Sequence, residues 1–440
     1  MARHLWIIPI TLIVSTWLGS ACNGGGFYVP QQTTEGLGRA FAGDAAVADD
    51  ASTVAANPAG MTELPRPEID VGLATIVPNI SFSNSGSTAA APGTLGAPVA
   101  YPGDNGGQPA HAVPVPYSYW VTPLVERSLW FGLGLNAPYG LTLKYDHEWF
   151  GRYDTLDATL LTIDLTPGLA YRVNNWLSLG ATVNFQYADA KLSSALPDTL
   201  LPGGPTPASD GLLTLRGRGV AVGGDIGILL KTTPATQLGL NYRSRMRSAL
   251  QGSTNMQGLT GPLAVLNGQP DVSTDINFPD VVTAGVVHRL TPRLTLLGGA
   301  QFFSWGRFRE IRVNYGDMPP GVLPQRYVNS YTASIGAEYA LTDDWRIRSG
   351  FQFDQTPTVD QYRNTAVPDA NRYWAAVGLT WRASEAWSFE AAYAHVFFES
   401  AAINLVHNFY AGSPAAGILV LSARGDTQIN TFAFAVKRRF

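Results

Sequence analysis

"LSLGATVNFQY", residues 177–187, alternates without a slip. Leu177, Leu179, Ala181, Val183, Phe185 and Tyr187 fall on one side, with Ser178, Gly180, Thr182, Asn184 and Gln186 on the other. A period of two is that of a β-strand with unlike faces. The pattern recurs with Tyr331, Ala333, Ile335, Ala337, Tyr339 and Leu341 set against Thr332, Ser334, Gly336 and Glu338. It recurs again with Trp345, Ile347, Phe351 and Phe353 against Arg346, Arg348, Gln352 and Asp354. A soluble sandwich with its apolar faces inward and a membrane barrel with them outward both fit such strands. Three features favour the barrel. Many runs reach the roughly 9–11 residues that cross a bilayer. The polar faces carry Arg, Asp, Glu and Gln in mid-strand. Trp176, Trp345 and Trp387 each follow a tight polar turn, as an interfacial aromatic girdle requires.

Connection lengths extend the argument. Short turns stand near residues 124–127, 174–175, 232–235, 291–293, 342–344 and 383–386. Longer connections alternate with them, at about 84–113, 146–154, 194–213, 251–271, 314–327, 356–369 and 402–424. Short turns on one side and long loops on the other are the outer-membrane habit, and the count gives about 14 strands, an even number. The chain closes on "TFAFAVKRRF", with Phe432, Phe434, Val436 and Phe440 on one face.

Composition agrees. Of 440 residues only 14% are charged, below the roughly 25% of soluble domains. A net charge of -4 gives no polyanion signal, so nucleic acid is not an expected partner. Residues 1–21 read as an export signal: Arg3 and His4, an apolar run over 5–18, then Gly19, Ser20 and Ala21 at a cleavage site. An uncleaved anchor helix is the alternative. The only cysteine, Cys22, excludes an internal disulfide and any Cys-rich zinc site. Lipidation is its other fate, although Gly19 stands where such sites usually carry Leu.

A barrel of this size encloses a lumen wide enough to leak. Residues 22–64 precede the first strand and are rich in Gly and Ala, which allow close approach to a wall. Arg39, Asp49 and Asp50 can pair with lumen charges; a disordered leader is the competing reading. The stretch "GFYVPQQTTEGLGRAFAGDAAVADDASTVAANPAGM" (26–61) resembles the N-terminal hatch of the FadL/TodX family, outer-membrane channels for long-chain fatty acids and other hydrophobic compounds. The resemblance continues through "LTPGLAYRVNNWLSLG", "NYRS", "NFPD", "FFSWGRFREIRV", "FQFDQTP" and "VPDANRYWAAVG". It implies an all-β fold, a 14-stranded antiparallel transmembrane barrel over 65–440, corked by a hatch at 22–64.

The resemblance also implies a kinked third strand with a lateral opening. Strand three reads "WFGLGLNAPYGLTLKYD", in which Pro138 removes a ladder hydrogen bond and Gly140 follows. Pairing is expected to fail around Asn136, Pro138, Tyr139 and Gly140. A harmless bulge is the bland alternative. The family places its Asn-Pro-Ala segment against this gap, which makes Asn57, Pro58 and Ala59 the expected gate. The external loops carry Leu200, Leu201, Leu263 and Leu266. Such residues either form a capture groove, as similar loops do in the family, or pack loop to loop. Arg312, in "REIRV", matches a basic position that holds a carboxylate in fatty-acid members. A second basic position reads Ser194 here, with Lys191 nearby, which leaves room for neutral hydrocarbons.

No catalytic set emerges. There is no Gly-x-Ser-x-Gly elbow, no His-x-x-x-His pair, and no phosphate fingerprint. No cofactor or metal is expected, and an outer-membrane hydrolase is the least favoured reading. The expected function is passive uptake of a hydrophobic ligand by a monomeric barrel in outer-membrane lipid. An aromatic-hydrocarbon channel or a polar-solute porin is the alternative.

Overall fold

A computed structural model describes residues 25–126, 128–315 and 318–440. The export signal read at 1–21, and Cys22, lie outside the described residues. The wall is a closed antiparallel barrel of 14 strands. In chain order these are β1 (Glu68–Asn84), β2 (Val113–Val125), β3 (Leu129–Asn136, resuming as Gly140–Lys144), β4 (Asp157–Arg172) and β5 (Leu177–Leu196). Then come β6 (Gly211–Thr233), β7 (Thr236–Arg243 and Met246–Gln257), β8 (Asp271–Phe278 and Val281–Arg289) and β9 (Leu294–Phe303 and Glu310–Tyr315). The circuit ends with β10 (Ser330–Ala340), β11 (Trp345–Asp354), β12 (Arg372–Arg382), β13 (Trp387–Phe398 and Ala401–Phe409) and β14 (Gly417–Arg439). Closure is made by β14 pairing with β1, from Glu68 opposite Arg439 to Asn84 opposite Ala423. In hydrocarbon a closed sheet is the arrangement that gives strand N–H and C=O groups their partners.

The two faces of each strand are those of a protein turned inside out. On β5, Ser178, Thr182, Asn184 and Gln186 are buried, while Leu179, Val183 and Phe185 face outward. Phe185 is 50% exposed and Gln186 1%. The outer apolar band includes Val222, Ile226, Ile335, Phe351, Val377 and Phe434. Acyl tails are the only solvent that rewards such a surface. Trp176, Trp345, Trp381 and Trp387 are exposed near the short turns.

The short turns lie where the sequence puts them. The long connections do not all do so. The sequence reading makes 251–271 and 402–424 loops, yet β7 runs on to Gln257, and β13 and β14 form a hairpin reaching Phe409 and Gly417. Above the bilayer the two arms of a hairpin still satisfy each other's backbone, so pairing persists where the lipid-facing pattern has ended.

Residues 25–64 fold into two short helices, α1 (Thr34–Gly38) and α2 (Thr53–Ala56), and a 3-10 turn over Pro58–Glu63. Helix α1 touches β12, β13 and β14, whereas the 3-10 turn touches β4, β5 and β6 on the other side. A segment that meets opposite arcs of a closed sheet lies inside it. Inward glycines make the fit. A Cβ on Gly239 would stand 1.7 Å from the Ala45 carbonyl oxygen, and one on Gly180 would stand 2.3 Å from the Ala59 nitrogen.

Candidate functional site

The wall is broken between β2 and β3. The ladder between β2 and β3 ends at Ser118 opposite Leu135. Beyond it, Gly140–Lys144 pairs with β4 alone, and the upper half of β2 pairs only with β1. That half of β2 carries Pro114 and Pro116, which have no N–H to offer a neighbour; proline belongs on such an edge. Between Asn136 and Gly140, residues 137–139 stand opposite only 162 and 163 on β4. The extra residue is a bulge, and Thr162 repairs it. Its hydroxyl accepts from the Tyr139 N–H at 3.0 Å and donates to the Tyr139 carbonyl at 2.7 Å.

On the inside, the inner segment replaces the missing strand. Val29 N–H donates to the Pro138 carbonyl at 2.8 Å, and Gly140 N–H donates to the Phe27 carbonyl at 2.9 Å. Tyr28 and Tyr139 thus face each other as an isolated antiparallel bridge. Residues 27–29 form a strap across the break.

The strap packs against a buried apolar cluster in the loop-side half of the barrel. Phe27 packs edge-on against Trp305 (4.7 Å between centroids) and Phe308 (5.4 Å), and Tyr139 lies 4.5 Å from Phe278. Met246, Leu250, Ile276 and Phe303 belong to the same cluster. Three polar groups buried among these residues, the Tyr139 hydroxyl, the Trp305 indole N–H and the Arg243 Nε, have no hydrogen-bond partner among the described residues. Arg243 is otherwise held by an ion pair to Asp164. Apolar side chains with a few converging polar groups are the usual lining of a small-molecule site.

Charge fixes the inner segment to the wall. Lys437 Nζ on β14 sits among three carboxylates: Glu35 at 2.8 Å, Glu390 at 2.7 Å, and Asp50. Glu35 and Asp50 belong to the inner segment. Arg348 bridges Glu35 (2.7 Å) and Glu338 (3.1 Å), and Arg39 meets Glu338 at 3.4 Å and Asp44 at 3.1 Å. The acids of the inner segment meet cations of the wall, so docking depends on partners that are buried together.

A family model for outer membrane protein transport proteins (OMPP1/FadL/TodX) matches residues 14–440. The chain belongs to this family. A long-chain fatty acid transport protein of Shigella flexneri is 27% identical over 430 residues, covering 89% of this chain and 91% of that protein. Outer membrane protein P1 of Haemophilus influenzae is 26% identical over 85% of the chain and 86% of its own length. Among solved structures, a Pseudomonas aeruginosa FadL homologue superposes with a TM-score of 0.84 at 25% identity, covering 94% of this chain and 100% of that one. The toluene transporter TodX of Pseudomonas putida shares the fold, with a TM-score of 0.65 at 16% identity over 92% of this chain and 98% of that one. The protein is therefore a bacterial outer-membrane transport channel of the FadL/TodX family and not an enzyme.

Against that family pattern the expected site residues divide. Asn136, Pro138, Tyr139 and Gly140 come together at the break. Asn57, Pro58 and Ala59 do not join them. Asn57 donates to the carbonyls of Ala45 (2.6 Å) and Ile228 (3.0 Å), and Pro58 and Ala59 press on Gly180 of β5. The strap at 27–29 takes the position the resemblance implies for them, because its free backbone edge matches the orphan edge of Tyr139, whereas Asn57 spends its amide on β6. Arg312 is also misplaced by the sequence reading. It faces outward, half exposed, and pairs with Glu310 at 2.9 Å. Ile311 and Val313 take the inward positions, and the period of two then sends Arg312 out. Lys191 pairs with Asp157 at 2.9 Å. Leu263 is buried beside Leu196 and Leu259, with Leu200 packed on them; Leu201 is half-buried and Leu266 exposed. Most of these loop leucines pack loop to loop.

Two features went unread in the sequence. "NYRS" holds the inward arginine, Arg243, and "VPVP" at 113–116 marks the orphan edge of β2. The doubled proline within a strand was a usable signal. The opposite, short-turn mouth is a cavity of about 1600 Å³ lined by Arg66, Lys231, Arg289, Arg293, Glu63 and Arg382, among others.

Proposed function

We propose that this channel admits hydrophobic solutes, long-chain fatty acids first among them, and releases them sideways through the break between β2 and β3. Ligand enters among the external loops, inserts between the rings of the aromatic cluster, and displaces the strap at 27–29, which acts as the moving part of the hatch. Residues 57–59, locked on β5 and β6, act as its anchor. Concentration gradient and apolar burial supply the drive. The observation that carries this reading is the strap itself: a strand-like piece of the inner segment bonded to the orphan edge of β3, beside a buried aromatic cluster. The charged short-turn mouth supports it, since an apolar solute gains nothing by crossing a ring of arginines. The unpartnered Tyr139 hydroxyl, Trp305 N–H and Arg243 Nε are donors suited to an oxygen-bearing head group, and the relative of highest identity above is named for long-chain fatty acid. A neutral aromatic hydrocarbon is the second reading, favoured by the Phe27, Phe278, Trp305 and Phe308 rings.

Tyr28 and Tyr139 form an antiparallel pair without mutual hydrogen bonds, the geometry whose side chains stand closest. In a background lacking Cys22, Tyr28→Cys with Tyr139→Cys should cross-link strap to wall. Uptake of labelled long-chain fatty acid and of toluene is then measured in cells without their own transporter. Oxidation should abolish uptake and reductant restore it. Equal flux in both states would refute the lateral route.

A further inference from the structure

The outer face of β6 to β10 carries a second pattern, independent of transport. Tyr242, Val282, Phe302 and Tyr331 form one continuous cross-strand row, and all four face outward. Arg245 lies nine residues along β7 from Thr236, about the length of strand that crosses hydrocarbon. The row is therefore the upper rim of the lipid-facing band. On the loop side of this row, beyond Val220 and Val222 on β6, the outward surface becomes basic. Arg218 pairs there with Asp189, Arg247 with Asp275, and Arg307 with Asp280. Four more arginines, Arg216, Arg245, Arg309 and Arg326, are exposed on the same arc and join no ion pair among the described residues. Arg309 and Arg326 are neighbours, the Arg326 N–H donating to the Arg309 carbonyl at 2.9 Å. On the opposite arc β13 and β14 expose Arg424 close to Asp426, with Glu399 nearby. The positive excess is thus local.

We propose that this arc binds the phosphate groups of the phosphorylated glycolipid of the outer leaflet. The position selects a lipid: the guanidinium groups of Arg245, Arg309 and Arg326 stand just above lipid-facing aromatic side chains, at head-group depth, with Arg216 farther out on β6. The chemistry selects phosphate, because arginine offers a planar fork of donors that matches its oxygens and loses little hydration on pairing. The glycolipid's acyl chains lie along the Tyr242–Tyr331 row while its phosphates bridge neighbouring arginines. This tightens the sheet on the side away from the β2–β3 break.

The test uses the full-length mature protein in detergent. Thermal unfolding is followed against bisphosphorylated lipid A, enzymatically dephosphorylated lipid A, phosphatidylglycerol and inorganic phosphate. Bisphosphorylated lipid A should raise Tm at the lowest concentration. Replacing Arg216, Arg245, Arg309 and Arg326 together by Gln should weaken that response on the order of a hundredfold, given roughly a factor of five for each of the three cations at head-group depth. Arg424→Gln should leave it unchanged. An equal shift from dephosphorylated lipid A or inorganic phosphate, or an unaltered response in the fourfold variant, would overturn the proposal. If the fourfold variant does not fold, salt titration of the parent decides: affinity must fall with ionic strength, and a salt-independent affinity overturns it.

Discussion

At the residue scale, two side-chain positions decide whether the inner segment stays docked. Gly239 has no Cβ because the Ala45 carbonyl occupies its place. Gly239→Val should therefore push the inner segment off β7 while leaving the outer band intact, at a cost of about 1–3 kcal/mol. Protease nicking within 25–64 and ion conductance of the barrel in planar bilayers should both rise. Lys437 is the second position. Removing its ammonium with Lys437→Met leaves Glu35, Asp50 and Glu390 facing one another in a buried site. An uncompensated buried charge costs about 3–5 kcal/mol, more than most single contacts. Hydrogen exchange over residues 35–57 should speed up sharply in this variant, while exchange in the strands of the wall stays slow.

At the element scale, β3 is the strand on which function turns. Its bulge has three causes that act together: Pro138 withholds a donor, Gly140 lets the backbone approach Phe27, and Pro114 and Pro116 remove the edge that could have paired with it. Pro138→Val with Gly140→Val restores one donor and stiffens the strand. The variant should keep its Tm within a few degrees and lose uptake several-fold. Unchanged uptake would mean that the break is only a bulge. The sequence showed the break through its proline, but not its partner. Asn57, Pro58 and Ala59 stand out in the sequence as a helix-breaking motif, and what they do in the fold is anchor on β5 and β6. Strap residues 27–29 look unremarkable in one dimension, since a single bridge leaves no period to read.

At the scale of the whole molecule, the external loops clasp one another across the barrel. Asp154, between β3 and β4, accepts from the Thr365 N–H at 2.6 Å and lies 3.3 Å from His407 Nε2 on β13. Burial works against its charge, yet the hydrogen bonds from His407 and Thr365 outweigh it and hold the carboxyl below the ordinary carboxylate range. A depressed acid contributes stability that is fully present above its unfolded pKa of about 3.9 and is lost as pH falls through the folded value. The clasp should thus stay closed at neutral pH and loosen only in strong acid. Trp149 fluorescence checks this: its acid transition, below about pH 4, should vanish in Asp154→Asn, which should resemble the loosened state throughout.

The sequence by itself determined that this is a barrel and how many strands it has. Period-two alternation is a local property of each strand, and the short turns are local chemistry, so no long-range knowledge is needed to read them. It also determined that something small and flexible precedes the wall. Tertiary structure alone decided what each inward side chain meets. Arg312 and Arg243 are both arginines in alternating segments, and only strand register sends one outward to Glu310 and the other inward to Asp164, beside Tyr139. The gap is likewise a matter of two strands, β2 and β3, failing to meet. Its cover comes from residues more than a hundred positions earlier, brought there by the closure of the sheet.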